Sequence, residues 1–234
     1  MAFSRTLILF DVDGTLLAPD GCGRAAVAAA VRELFGLDLF SFPLDFAGKT
    51  DWQILLEILT PLGYTQEAIA AALPAFARVV AEHLQASIHR HNVQPLPGAL
   101  ELIRDLRGDP RACLGLITGN MATTAPIKLR AAGFDPESFV VGAYGHEGAS
   151  RNDLPPLALQ RAVRHWRTPF PPGRIVVVGD TPADVVCARS VGGRAVAVLT
   201  GWVGQEELEA VQPYALVENL TDHDRLKTIF FDEG

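Results

Sequence analysis

The sequence predicts an α/β fold: a doubly wound parallel sheet interrupted by an inserted domain made only of helices. Two observations predict it. Short apolar runs, each long enough for one buried strand, alternate with segments of helical periodicity over most of the chain. One long stretch between the first and second runs has helical periodicity and no convincing strand. Alternating strands and helices are typical of βαβ units with right-handed crossovers, which build a parallel sheet.

Five apolar runs predict the strands of this sheet. Continuous apolar runs suit central parallel strands that are covered on both faces. The runs are Leu7–Phe10, Cys113–Ile117, Phe139–Val141, Ile175–Val178 and Ala195–Leu199. The helices predicted between and after them are Gly98–Leu106, Thr123–Ala132, Leu157–Trp166 and Pro182–Val191.

The stretch from residue 17 to residue 94 predicts the inserted helical domain. It is rich in Ala, Leu and Ile, and the two prolines of the 92–98 linker discourage a helix that continues into the next unit. We therefore expect one domain formed by residues 1–16 and 95–234, and a second formed by residues 17–94. The helices predicted in the insert are Arg24–Leu34, Trp52–Leu59, Gln66–Leu73 and Ala75–Ile88, separated by Pro61, Gly63 and Pro74.

Composition bounds the classes of partner. The chain has 234 residues and a formal net charge of −7, with a pI of about 5.3. An acidic protein is a poor match for nucleic acid or for anionic membranes, so we expect neither as a partner. A small anionic substrate remains compatible, because a bound cation reverses the local sign of charge.

Cysteine usage and the apolar runs predict the compartment. Cys22, Cys113 and Cys187 are too far apart for a disulfide framework or a zinc site, and the last two are interpreted as buried small hydrophobic residues. The chain reaches Asp11 too soon for a signal peptide, and no apolar run approaches the ~20 residues of a membrane span. We expect a cytoplasmic monomer or homodimer.

Acidic residues follow two of the predicted strands. Asp11 and Asp13 come directly after the first run, and Asp180 comes after Ile175–Val178. The carboxyl ends of parallel strands form the edge at which open α/β sheets bind ligands. A strand followed by an ordinary Asp/Gly turn is the alternative for the first pair. Carboxylates that converge at one edge repel each other unless a cation lies among them, and oxygen ligands without a His or Cys cluster favour Mg²⁺.

Two further motifs have a structural and a functional interpretation. Thr118-Gly119-Asn120, after the second strand, either caps the next helix or supplies an anion site from a hydroxyl and free N–H groups. Asp184 has the spacing of a capping-box partner for Thr181, which explains it without any function. The same spacing leaves Asp180 unexplained. A cation site beside an anion site indicates phosphoryl chemistry.

The order of these motifs, Asp11–Leu16, Thr118–Asn120 and Gly179–Asp184, resembles the haloacid dehalogenase-like (HAD) hydrolase superfamily. More narrowly it resembles the phosphoglycolate phosphatase and β-phosphoglucomutase-like branch, in which a helical cap lies between the first two motifs. The resemblance spans nearly the whole chain. It implies a Rossmann-like core, a cap domain at residues 17–94, and a small phosphorylated metabolite as substrate.

The resemblance also implies roles for single residues. Asp11 would attack phosphorus as the nucleophile, and Asp13 would serve as general acid and base. Asp11, the backbone carbonyl of Asp13 and Asp180 would bind Mg²⁺, with Asp184 supporting it directly or through water. The phosphoryl oxygens would be held by Thr118, Gly119 and Asn120.

The family's phosphate-binding cation departs from its usual pattern here. The common form is a Lys followed by Pro-x-Pro, whereas residues 150–156 read Ser-Arg-Asn-Asp-Leu-Pro-Pro. Arg151 is the first candidate for this cation, although it could also be an ordinary loop charge. Lys128 is the rival, with a solvated helix face as the favoured interpretation of its position.

Residues 46–51 resemble the cap loop that selects substrate. Lys49 and Thr50 could contact the leaving group or a second anionic group, and a helix N-cap at Thr50 or Asp51 is equally compatible with the sequence. The Gly-Lys-Thr triplet does not mark a P-loop, because Pro43 stands where that motif requires its first glycine.

Four functions follow in order of preference. The first is a Mg²⁺-dependent phosphatase acting on a small phosphomonoester, with phosphoglycolate as the first guess. A β-phosphoglucomutase-type mutase lacks support, because no His stands near Arg24 where mutases of this branch carry one. A haloacid dehalogenase needs no metal, and its form of the first motif lacks the second acid. The presence of Asp13 here therefore argues against a dehalogenase. A non-catalytic phospholigand-binding module has no need of Asp11 and Asp13.

Overall fold

The computed structural model describes residues 5–39, 42 and 45–232. Its strands are β1 (Thr6–Phe10), β2 (Leu17–Ala18), β3 (Gln94–Pro95), β4 (Ala112–Thr118), β5 (Val141–Tyr144), β6 (Ile175–Gly179), β7 (Arg194–Val198) and β8 (Ala215–Val217). Its α-helices are α1 (Cys22–Phe35), α2 (Asp51–Leu59), α3 (Gln66–Ser87), α4 (Ala99–Arg107), α5 (Ala125–Ala131), α6 (Leu154–Trp166), α7 (Pro182–Ala188), α8 (Gln205–Ala210) and α9 (His223–Phe231). None of these helices combines the length and apolarity needed to cross a membrane.

Six strands form one parallel sheet in the order β5-β4-β1-β6-β7-β8, which confirms the predicted α/β fold. All five residues of β1 are buried, and β1 pairs with β4 on one side and β6 on the other. The chain runs to one side of β1 through β4 and β5 and to the other through β6 to β8. This reversal of strand order opens a crevice at the carboxyl ends of the central strands.

The described helices α1, α2 and α3 lie between β1 and β4 in the chain, as the sequence predicts. The chain leaves the sheet at β2 and returns at β3, and these two short strands pair antiparallel with each other. We call residues 17–94 the helical insert. Helix α1 packs on α3, and Val27 and Val31 join Phe76 and Val80 in one buried cluster.

Helix α3 differs from the prediction of two helices separated at Pro74. Proline removes one backbone hydrogen bond and costs a helix interior ~3 kcal/mol. Its ring lies on the exposed side of α3, while apolar residues recur along the whole opposite face. Burial of that continuous face outweighs the missing hydrogen bond. Its buried residues are Ile69, Leu73, Phe76, Val79, Val80 and Leu84.

Other differences lie at the ends of elements, at the sheet edge, and in α8 and α9, where no helix was predicted. The strand predicted at Phe139–Val141 is instead Val141–Tyr144, because a 3-10 turn at Pro136–Ser138 precedes it. Helix α6 begins at Leu154, earlier than predicted, with prolines in its first turn. The three-residue edge strand Ala215–Val217 was not predicted, because so short an apolar run does not distinguish a strand from other structure. The three cysteines are buried, as expected for Cys113 and Cys187.

Candidate active site

Asp11 directly follows strand β1 and lies at the crevice. The Asp11 N–H donates to the Val178 carbonyl at 2.9 Å, so the ladder with β6 continues one residue past the end of the strand. The Asp11 side chain is buried at this edge. Gly14 then turns the chain with a φ of 84°, and its N–H donates to the Leu17 carbonyl at 2.8 Å. Asp13 lies on this turn, close to Asp11.

A second acidic pair, Asp180 and Asp184, follows strand β6. Thr181 caps α7 with Asp184 in a capping box, as the sequence predicts. Asp180 precedes the cap, is buried, and accepts a hydrogen bond from the Thr15 hydroxyl at 3.1 Å. Asp11, Asp180 and Asp184 place carboxylate oxygens within 4.8 Å of one another.

Arg151 lies inside this cluster. Its side chain is only 6% exposed, and its Nη2 lies 2.8 Å from Asp11 Oδ1 and 2.5 Å from Asp184 Oδ1. An ordinary loop charge is therefore the wrong interpretation of Arg151. Burial raises the pKa of Asp11 to about 6, and the nearby guanidinium opposes that rise. The Arg151 charge thus favours the ionised form of Asp11.

Lys128 is buried too, which corrects the prediction of a solvated helix face. Its ammonium lies 2.5 Å from Asp13 Oδ2 and donates to Asn120 Oδ1 at 2.6 Å. Burial is the largest single influence and lowers the pKa of Lys128, but Asp13, Cys22 and Asp51 together outweigh it, so the pKa is raised. Lys128 lies three residues after the buried Ala125, on the same face of α5. That spacing was the signal in the sequence.

The Thr118–Asn120 turn faces the same space. The Thr118 hydroxyl accepts from the Asn120 N–H at 3.2 Å and from Asn120 Nδ2 at 2.9 Å. Asn120 Nδ2 also donates to Asp13 Oδ2 at 3.0 Å. Helix α5 begins only at Ala125, so helix capping is the wrong interpretation of this turn. Gly119 contacts the helical insert through its carbonyl, which accepts from the Asp51 N–H at 2.9 Å.

The loop before α2 gives Thr50 a structural role. The Thr50 hydroxyl accepts from the Gln53 N–H at 3.0 Å, which confirms the predicted N-cap, and it donates to the Gly148 carbonyl at 2.9 Å. Lys49 lines the cavity described below, where its ammonium lies 2.7 Å from a carboxylate oxygen of Glu57. The predicted substrate contacts of Lys49 and Thr50 stay predictions.

The acidic cluster has the donors of a hard-cation site. Asp180 Oδ2 is buried and has no hydrogen-bond partner among the described residues. Burial first, and the Asp11 charge next, raise the pKa of Asp180 well above its usual range. A side chain at Gly14 would overlap the Asp180 carboxylate, so the glycine keeps this space open. Asp184 differs, because Arg151 occupies its Oδ1 and Thr181 its Oδ2.

One cavity of about 380 Å³ joins these groups. The sheet edge contributes most of the catalytic polar groups, and the helical insert contributes apolar residues together with Lys49. The polar residues include Asp11, Asp13, Thr118, Lys128, Arg151 and Asp180, and the apolar ones include Val27, Ile54, Val80 and Leu84. The structure therefore brings the carboxylates, the Thr118–Asn120 turn and both cations to one site beneath the helical insert.

Known proteins are similar to this chain in sequence and in fold. Residues 6–192 match the family model described as a hydrolase, haloacid dehalogenase-like hydrolase. The chain is 30% identical over 218 residues to phosphoglycolate phosphatase of Synechococcus elongatus, covering 92% of this chain and 93% of the relative.

Two solved structures illustrate the likeness of fold. One is a hydrolase from Pseudomonas syringae, with a TM-score of 0.68, 22% identity and coverage of 96% and 99% of the two chains. The other is CbbY from Rhodobacter sphaeroides in complex with phosphate, with a TM-score of 0.67, 23% identity and coverage of 93% and 96%.

Proposed function

Because the chain belongs to the haloacid dehalogenase-like hydrolase family, we propose that it is a Mg²⁺-dependent phosphatase that hydrolyses a small phosphomonoester through a phosphorylated Asp11. One observation carries this proposal: two neighbouring carboxylates each have their own buried cation. Arg151 contacts Asp11, and Lys128 contacts Asp13. Two acids in different environments suit two different chemical roles.

Asp11 is placed to be the nucleophile. Its carboxylate would attack phosphorus while the bond from phosphorus to the leaving oxygen breaks, which leaves a phosphoryl group on Asp11. Arg151 supports the ionised carboxylate that this attack needs. The Arg151 guanidinium is itself fixed by Asp184 at 2.5 Å, so Asp184 acts here through Arg151.

Asp13 is placed to be the acid and then the base. Its proton would pass to the leaving oxygen, and its carboxylate would then take a proton from the water that attacks phosphorus and frees Asp11. Lys128 and Asn120 both hold Asp13 Oδ2. The other oxygen, Oδ1, has no hydrogen-bond partner among the described residues, so it is free for proton transfer.

Mg²⁺ fits the unpartnered oxygen of Asp180 and the nearby Asp11 carboxylate, with the Asp13 backbone carbonyl as a third ligand. When bound, it would offset the negative charge of the carboxylates and of the phosphoryl oxygens. Asp184 would support the Mg²⁺ site indirectly, because both of its carboxylate oxygens already accept hydrogen bonds. Thr118, Gly119 and Asn120 would receive the phosphoryl oxygens.

Phosphoglycolate is our first candidate substrate. The relative of 30% identity carries that activity in its name, and a cavity of about 380 Å³ suits a small metabolite. We propose residues 17–94 as the cap domain over a core of residues 1–16 and 95–234. The cap contributes Lys49 to the cavity, and the leaving group would lie against this side.

Phosphate release tests the proposed function. We expect the purified protein to release inorganic phosphate from p-nitrophenyl phosphate and from phosphoglycolate when Mg²⁺ is present. A chelator is expected to abolish release, because the clustered carboxylates then repel the anionic substrate, and added Mg²⁺ is expected to restore it. Phosphate release that is equally fast in excess chelator would contradict the metal assignment. Absence of release from every phosphomonoester in a metabolite panel would contradict the phosphatase.

A further inference from the structure

Asp51 is a carboxylate that the mechanism above does not use. It is the first residue of α2 and follows the Thr50 cap. Its Oδ2 accepts a hydrogen bond from the Met121 N–H at 3.1 Å, and its own N–H donates to the Gly119 carbonyl at 2.9 Å. Asp51 therefore binds the backbone on both sides of Asn120. The helical insert thus bonds to the turn of the sheet domain through both the backbone and the side chain of Asp51.

Asn120 is the residue between those two anchors. Its side chain donates to Asp13 Oδ2 at 3.0 Å and accepts from Lys128 Nζ at 2.6 Å. A shift of this turn would therefore move two partners of the Asp13 carboxylate, the Asn120 amide and, through it, Lys128. Contacts that fix the turn also fix the acid and base of the proposed reaction.

We propose that Asp51 is a positioning residue that sets the Thr118–Asn120 turn and Asp13 in their reactive arrangement when the helical insert lies over the sheet. The proposal rests on the proposed phosphatase function. It assigns the insert a part in organising the site, in addition to covering it. The two anchors run in opposite directions, one donated by Asp51 and one accepted by it, so they define both the position and the orientation of the turn.

The charges around Asp51 agree with this role. Burial raises the pKa of Asp51 to about 7, with Lys128 opposing the rise and Asp13 adding to it. Lys128 on α5 and Asp13 after β1 are the charged groups that act on the Asp51 carboxylate. Asp51 in turn helps to hold the pKa of Lys128 above its usual value. The carboxylates of Asp51 and Asp13 are thus both attracted to one buried ammonium, which contacts Asp13.

Other contacts dock the insert without the Asp51 carboxylate. The Trp52 N–H donates to the Gly145 carbonyl at 3.0 Å, and the Thr50 hydroxyl donates to the Gly148 carbonyl at 2.9 Å. The Thr123 hydroxyl donates to the Ala77 carbonyl at 3.1 Å. Loss of the Asp51 side chain therefore leaves the insert docked and the Asp51 N–H bond to Gly119 in place, and it removes the anchor of the turn at Met121. A positioning role predicts a loss of turnover that exceeds the loss of substrate binding or of stability.

Steady-state kinetics of the full chain with p-nitrophenyl phosphate and Mg²⁺ test this inference. Asp51→Ala is expected to lower kcat by about 10²-fold, the scale of a small misplacement of reacting groups. KM is expected to stay within about 3-fold of wild type, because the proposed Mg²⁺ site of Asp11 and Asp180 lies outside the turn and is unchanged. Asp51→Asn keeps an acceptor oxygen for Met121, and we expect it to recover most of the turnover. Thr123→Val removes a different contact between insert and sheet and should leave kcat unchanged.

Three results would overturn the inference. Wild-type kcat in a folded Asp51→Ala protein would do so, and so would equal losses in the Asn and Ala variants. A loss of kcat in Thr123→Val as large as in Asp51→Ala would reduce Asp51 to one docking contact among several. Asp51→Ser is the second variant if the alanine protein does not fold. The serine hydroxyl is too short to reach the Met121 N–H, so the serine variant should show the same loss of kcat that is expected for Asp51→Ala. An inactive wild type would instead overturn the proposed function.

Discussion

Replacement of Asp11 by Asn is expected to lower the rate of phosphate release by at least about 10³-fold. The amide has the shape of the carboxylate but cannot attack phosphorus as an anion. It also withdraws one negative charge from a cluster in which Arg151 lies 2.8 Å from Asp11. The variant is expected to fold, because burial already opposes the charged form of Asp11 and raises its pKa to about 6. Release of inorganic phosphate from p-nitrophenyl phosphate measures the effect.

Asp224→Asn is the matched control for this experiment. Asp224 is an exposed residue of α9, and the same chemical change there should leave turnover at the wild-type value. If Asp11→Asn retains wild-type turnover in a sample freed of other phosphatases, another group is the nucleophile. Equal losses in both variants would show a nonspecific effect of charge.

Replacement of Lys128 by Met is expected to affect both stability and turnover. Methionine keeps the length of the side chain and removes the ammonium that lies 2.5 Å from Asp13. Removing one partner of a buried ion pair typically costs about 3–5 kcal/mol, because the other charge stays buried without compensation. Asp13 also loses one of the two contacts that hold its Oδ2, so kcat is expected to fall by about 10²-fold. Chemical unfolding and steady-state kinetics measure the two effects.

A double variant separates these effects. Adding Asp13→Asn to Lys128→Met removes the unpaired buried charge of the Asp13 carboxylate. The double variant should therefore recover part of the lost stability while remaining inactive. Lys227→Met is the control, because Lys227 contacts Asp105 on the surface with 30% of its side chain exposed, and exposed pairs contribute little. A Lys128→Met protein as stable and as active as wild type would contradict the assigned contact with Asp13.

The sheet and its site edge could be predicted because both depend on local patterns. Apolar runs identified the five long strands, and a parallel arrangement then placed Asp11, Asp13, Thr118 and Asp180 at one edge. The capping box of Thr181 and Asp184 could be predicted for the same reason, because it depends on a local spacing. The continuous helix through Pro74 could not be predicted. The packing of α3 against α1 determines that the helix continues, and this outweighs the local preference of one proline.

The pairing of cations with carboxylates could not be predicted, because it depends on how distant segments pack. The sequence offered Arg151 and Lys128 as rivals for one role, whereas each contacts a different carboxylate. Lys128 is buried because the helical insert covers its side of α5. The Asp51 contacts join residues 70 positions apart, and only the folded chain brings them together.

Trapping the phosphorylated enzyme tests the central claim most directly. In Asp13→Asn, p-nitrophenyl phosphate should still phosphorylate Asp11, because its leaving group needs no proton, while loss of the base slows hydrolysis of the adduct. Acid quenching followed by peptide mass spectrometry then locates the phosphoryl group. Our account predicts the phosphoryl group on Asp11, and its absence when Asp11 is also replaced by Asn. A phosphoryl group on another residue would contradict the account, and so would fast phosphate release without any adduct.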